Sequence, residues 1–310
     1  MERAHRDDAA FQGAESDFSR ASKLRPGFTP ALYDRGRLYL YRFLELVMWD
    51  NLAYQDPLKS VRDHAAWKEL SMADFARARS LGGEEDEQSI AEVAVELSNL
   101  KFKTVIDKAT SALERTAQTT ELRLLLGTAY LFVFQSGKAL AEIDRALADW
   151  PRFRHALLLR TFLRLQVARK LDDAARDLDL LREDEPDGLF VLMGTGEIHR
   201  LKGRAKEALA CFQEVVRRRP NTHIWIRIGN IRKDEGDPTG AIEAFSRAFE
   251  IAPTWDVPLC KRAEVHAGLK QYDEADRDYT AALALPGHEH AETYKARGSI
   301  RAKKKKFDIA

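Results

Sequence analysis

The 310-residue chain carries 50 Lys and Arg against 49 Asp and Glu, with 45% apolar residues, 17 Gly, ten Pro and two Cys. That apolar share supports a real core and the low Gly and Pro content leans toward helix, which excludes wholesale disorder and collagen-like or low-complexity structure. A net charge of +1 supplies no global field to hold nucleic acid or an anionic membrane, so a charge-driven partner has to use a local patch.

One spacing rule orders most of the chain. Gly229 is followed after 12 residues by Ala241, after four more by Phe245, after three by Ala248 and after five by Pro253. Small, large and small residues at steps of four and three share one helix face, and this pattern lets two helices interlock. A helical Gly costs about 1 kcal/mol relative to Ala, so its recurrence predicts a place where another backbone comes too near for a side chain. The proline cannot continue the second helix and ends the unit.

At the start of the chain, Ala14, Phe18, Ala21 and Pro26 fit a second helix, yet only about six residues precede it. Gly36, with Leu32 and Tyr39, then fits a first helix, and Phe75 with Ala78 its second. From Gly36 to Phe75 is 39 residues where strong units have 16, an insertion of 23 over about 45–68. The stretch Leu38 to Trp49 prolongs the first helix past the usual turn until Asp56-Pro57, and Tyr41, Phe43, Trp49, Tyr54 and Trp67 make it aromatic. An enlarged cap over the array's own apolar flank is expected, with a dedicated partner-binding element as the other reading. Residues 1–85 thus form an atypical N-terminal region, and Glu84-Glu85-Asp86-Glu87 after Gly82-Gly83 is expected to be a solvated linker.

Residues 86–119 form a weak unit with Val105, Ala109 and Ala112 in the second-helix slots. Residues 120–288 hold five consecutive units. Two more of them match fully: Gly127, Ala139, Ile143, Ala146 and Pro151, and Gly196, Ala208, Phe212, Val215 and Pro220. Partial copies are Phe162, Ala174, Leu178, Leu181 and Pro186, and Ala263, Ala275, Tyr279, Ala282 and Gly287. Prolines 151, 186, 220 and 253 lie 35, 34 and 33 residues apart. Residues 289–310 supply the first helix of a truncated unit beginning its ruler at Gly298. Both ends fall mid-unit, so a segment of a longer polypeptide is expected.

Enzyme signatures are poor. Gly194-Thr195-Gly196 meets His199 where a dinucleotide fingerprint needs Gly, and Ser136-Gly137-Lys138-Ala139 lacks the Ser or Thr of a phosphate loop. His288-Glu289-His290 has no further ligand nearby in sequence and reads as a solvated turn. Lys303 to Lys306 is read as exposed charge in the turn between two helices. The longest apolar stretch, Leu124 to Phe134, is 11 residues against the roughly 20 needed to span a bilayer. Cys211 and Cys260 stand alone without CxxC spacing, as small buried hydrophobes of a reducing, cytoplasmic compartment.

The repeat pattern resembles the tetratricopeptide repeat family, with Trp225, Gly229, Ala241, Phe245, Ala248 and Pro253 as its clearest copy. That resemblance implies an all-α fold, an α-solenoid in which antiparallel helix pairs stack into a right-handed superhelix. It also implies a concave groove, lined by the first helix of each unit, in which partners lie as extended or helical peptides. Carried onto this chain, the groove would comprise Leu124, Thr128, Leu131 and Phe132, then Leu159, Leu163 and Val167, then Phe190, Met193, Glu197 and Arg200. It would turn polar at His223, Asn230 and Lys233, followed by Cys260, Lys261 and Glu264. The clamp by which some members hold acidic chaperone tails is not reproduced, since Leu124, Leu159 and Met193 occupy slots where the leading Lys is wanted.

The expected function is a non-catalytic protein–protein interaction scaffold without metal or cofactor, which captures a peptide or protein segment through apolar anchors and a polar, orienting end. No nucleic acid or membrane partner is expected. A second reading is a regulatory or docking arm of a larger multidomain enzyme such as a bacterial Ser/Thr protein kinase, motivated by the mid-unit start. A third is self-association through exposed repeat ends.

Overall fold

The computed structural model describes residues 4–53, 65–82, 85–116, 119–167, 169–186, 188–285 and 291–307, and the regular structure among them is entirely helical. Two compact units divide the chain, Met1–Gly194 and Thr195–Ala310. The first contains α1 (Ala4–Leu24), α2 (Thr29–Ala53), α3 (Ala65–Ser80), α4 (Glu85–Ser98), α5 (Phe102–Leu113), α6 (Thr119–Phe132), α7 (Ser136–Asp149), α8 (Arg154–Gln166) and α9 (Leu171–Asp184). Helix α10 (Leu189–Leu201) spans the boundary in sequence. The second unit continues with α11 (Ala205–Arg218), α12 (Thr222–Asp234), α13 (Pro238–Ile251), α14 (Val257–Gly268), α15 (Tyr272–Leu283) and α16 (Ala291–Phe307). Short connections make consecutive helices antiparallel neighbours, so within each unit the fold is an all-α array of helix pairs.

The repeating Gly has a definite cause. A Cβ on Gly229 would stand 2.5 Å from Cε1 of Phe245, one on Gly196 2.8 Å from Cε1 of Phe212, and one on Gly127 2.8 Å from Cδ1 of Ile143. The close neighbour is therefore the large side chain of the following helix, not the backbone that the spacing suggested. Phe245 and Phe212 are fully buried, and their flanking Ala241, Ala248 and Ala208 have no exposed surface either. Gly36 makes the same contact with Phe75, whose Cε1 would lie 2.9 Å from a Cβ there, across 39 residues. The insertion thus leaves an ordinary helix-pair contact intact, and Ser71 Oγ adds a 3.0 Å hydrogen bond to the Gly36 carbonyl.

Three local expectations change. Glu85, Asp86 and Glu87 are the first turn of α4, where carboxylates complement the helix dipole, and are not a linker. Lys303 to Lys306 belong to α16, where Lys304 pairs with Asp273 and Arg301 with Asp276 at 2.6 Å, so the run folds onto α15 and is not a turn. Neither cysteine forms a disulfide and both are half-buried, with Cys260 Sγ 3.8 Å from Thr293 Oγ1. Asp56-Pro57, Tyr54 and His288-Glu289-His290 lie outside the described residues. No helix among the described residues is long and apolar enough to cross a membrane.

Candidate functional site

In the first unit, α2 decides what the neighbouring first helices can present. It is 25 residues long, against 12 to 14 for α4 to α9, because Tyr39 to Trp49 continue without a breaker. One flank packs on α1 and α3: Arg35 holds Asp74 through two hydrogen bonds of 2.7 and 2.6 Å, and Tyr39, Phe11 and Trp67 form an aromatic cluster. The other flank meets α6 and α8 through residues four apart, which share a helix face. Arg37 pairs with Glu121 at 3.1 Å, and the Tyr41 hydroxyl donates to the same carboxylate. The Tyr41 ring stacks on His155 at 4.1 Å, and Glu45 accepts from Arg154 at 3.0 Å and lies 3.3 Å from His155.

Burial of Glu45 opposes its charge, yet the hydrogen bond and charge of His155, then those of Arg154, hold its carboxyl down at about 2. Its folded value lies below the ordinary 4.5, so its contribution to stability is complete above that value and is lost as pH falls through about 2. Thermal melts across this range should show Tm falling with acid, and the fall should be shallower in Glu45→Gln. Parallel curves for the two proteins would dismiss the Glu45 latch as a contributor.

The apolar part of the expected groove is core. Leu124, Leu159 and Leu163 are each 1% exposed and Met193 2%, while Thr128 is buried with its Oγ1 donating to the Leu124 carbonyl at 2.8 Å. Phe190 is buried as well. Leu131 and Phe132 are half-buried, the Phe132 ring stacking on Phe102 at 4.7 Å, and Val167 alone of this set is exposed. These side chains hold helices together, so most of them cannot serve as anchors for a partner. α2 itself packs against α8, the helix that carries Leu159 and Leu163.

The polar part lies in the second unit and is a built arrangement. Glu197, 3% exposed in its side chain, accepts from Arg200 at 3.0 and 2.7 Å and from Arg227 at 2.6 Å. Burial opposes the Glu197 charge, but the two guanidinium groups hold its pKa below the usual carboxylate value. Burial pushes the Arg227 pKa down, since one carboxylate is shared between two cations. Farther along, Glu264 pairs with Lys261 at 3.0 Å and with Lys233 at 3.8 Å, and Asn230, three residues before Lys233, is half-buried. His223 is buried, its ring 4.7 Å from that of Trp255. Arg227 reads in the sequence only as one of several scattered basic groups, outside the expected groove set, and its pairing with Glu197 is what the sequence reading missed. Its signal is the charge of Glu197, 30 residues earlier and therefore close to one repeat away. No group of three or more metal-ligating side chains is assembled among the described residues.

Two overlapping stretches, residues 159–222 and 203–254, match the tetratricopeptide repeat family model. No curated protein matches the sequence. Among solved structures, the chain is similar to a tetratricopeptide repeat protein from Parabacteroides merdae ATCC 43184, with 14% identity, a TM-score of 0.57, and coverage of 82% of this chain and 99% of that one. It is similar to the type IV pilus biogenesis factor PilW at 12% identity and a TM-score of 0.61, covering 69% of this chain and 99% of that one. PilF of Pseudomonas aeruginosa gives 14%, a TM-score of 0.56, and coverage of 70% and 97%. At these identities the likeness is one of fold.

Proposed function

We propose, from the premise that this chain is a tetratricopeptide-repeat protein, that it is a non-catalytic scaffold holding a segment of another protein along the polar first-helix side chains of its second unit. The observation that carries this reading is Glu197 locked between Arg200 and Arg227. Such a network fixes the orientation of the charged groups around it before a partner arrives, which lowers the ordering cost of binding. Arg200, Lys233, Lys261 and Glu264 remain accessible in part, whereas Leu124, Leu159, Leu163, Phe190 and Met193 in the first unit are buried. Recognition therefore rests on charge and hydrogen bonding, with electrostatics setting association rate and register.

Peptides selected by display against the wild-type chain provide the test. Arg200→Glu combined with Lys233→Glu should weaken them at least about tenfold, a loss of about 1.4 kcal/mol, while circular dichroism stays helical. Equal binding by the folded double variant would overturn the assignment.

A further inference from the structure

The first unit carries a second surface with a different chemistry. Three consecutive turns open α5, α7 and α9, and in an array of antiparallel pairs they share one edge; the stack of Phe102 on Phe132 at 4.7 Å shows two of them in contact. Phe134 is 89% exposed and sits at φ 59°, in the left-handed region, and Val167 in the next turn is 49% exposed. Around them stand the exposed cations Lys101, Lys103, Lys138, Arg169 and Lys170, and the turns 100–103, 133–138 and 167–170 contain no Asp or Glu. Lys101 pairs with Glu96 at 3.3 Å, while Lys103, Lys138, Arg169 and Lys170 have no carboxylate partner among the described residues.

The electrostatics of the edge is reinforced by the backbone. The N-cap positions of α5, α7 and α9 are Lys101, Gln135 and Lys170, and none of these side chains caps its helix. The N-termini of α5 and α7, whose first turns hold no carboxylate, therefore end among cations, whereas Asp172 and Asp173 in the first turn of α9 complement its dipole. Both features are unfavourable in water alone: the cations at the N-termini of α5 and α7 repel the dipole, and a bulky aromatic is held in a left-handed conformation with its ring in solvent. Each becomes favourable against a surface that is anionic at its rim and apolar beneath.

We propose that this edge docks the protein on an anionic lipid bilayer, with Phe134 entering the interface and the surrounding cations meeting the headgroups. A bilayer fits better than a protein segment because Phe134, at 89% exposure, has no wall of its own to receive a ligand side chain, so the partner has to furnish the apolar medium. The surface lies in the first unit and shares no residue with the polar side chains assigned to a protein partner in the second.

Co-sedimentation of the full chain with vesicles tests this. The chain should bind vesicles of phosphatidylcholine containing about one-third phosphatidylserine, release as salt rises, and ignore pure phosphatidylcholine. Lys103→Ala and Lys170→Ala should each weaken binding about fivefold. Phe134→Gly should weaken it by a similar factor while leaving the melting temperature equal or higher, because Gly adopts the left-handed turn without strain. Absence of binding to the anionic vesicles, or undiminished binding by Phe134→Gly, overturns the proposal. Binding of soluble polyglutamate without binding of vesicles would assign the edge to an acidic protein segment and overturn it as well.

Discussion

Gly229→Val is expected to lower the unfolding free energy by about 3 kcal/mol, because overpacking a closed core forces side chains off their rotamers. The first atom of the new side chain would meet Cε1 of Phe245 at 2.5 Å and Cδ1 and Cζ at 2.8 Å. Phe245 cannot retreat, being fully buried in a cluster with Ala241 and Val265. Phe245→Leu in the same chain frees part of this volume and should recover at least about 1 kcal/mol relative to the sum of the two single changes. Urea denaturation of the four proteins in the cycle measures that coupling. Strict additivity would show that the ring against Gly229 is not the reason this position is Gly.

Glu197→Gln should cost about 3 to 5 kcal/mol at neutral pH, the usual penalty for removing one partner of a buried ion pair. Two cations converge on this carboxylate, and Arg227 has only 17% of its side chain exposed, so it is left in low dielectric without its counter-charge. Replacing both partners by apolar residues of similar size, Glu197→Leu with Arg227→Met, should recover most of the loss, because no buried charge then remains. The folded Glu197 pKa lies below its ordinary value of 4.5, so its stabilising effect is present above that value and fades as pH falls through the lowered one. Chemical denaturation at neutral and acidic pH should find the gap between wild type and Glu197→Gln closing with acid. A gap independent of pH would mean that the ionised carboxylate is not what holds Arg227.

The corrections within the sequence reading share a pattern. Phe134, Leu100, Arg169 and Lys270 adopt φ between 53° and 61° at turns of the kind where Gly203 and Gly236 take φ 72° and 77° in other repeats. Residue type announces such a turn only when it is Gly, so four of these six positions were invisible in composition. The burial of most apolar residues of the expected groove was hidden for a related reason. Periodicity marks Leu159 and Leu163 as one apolar face, but the face of a helix does not reveal whether it meets water, a partner or another helix. Their 1% exposure answers that, and α2 is one of the elements packed on α8. The prolonged α2, by contrast, was legible from its unbroken aromatic run, while its contacts with Glu121 and Arg154 were not.

By itself the sequence determined the helix pairs and their repeat, because the contacts that define them are local in register: a Gly and a large residue 16 positions on must always meet across one short turn. It also determined which residues are small for packing and which end a helix. Only the tertiary structure decided which apolar faces are closed, that Arg37, Tyr41 and Glu45 reach across 84, 80 and 109 residues to α6 and α8, and that Glu197 is shared by two arginines. The physical reason is that charge pairs and helix crossings depend on distances in space, and a periodic pattern specifies a face without specifying what comes to rest on it.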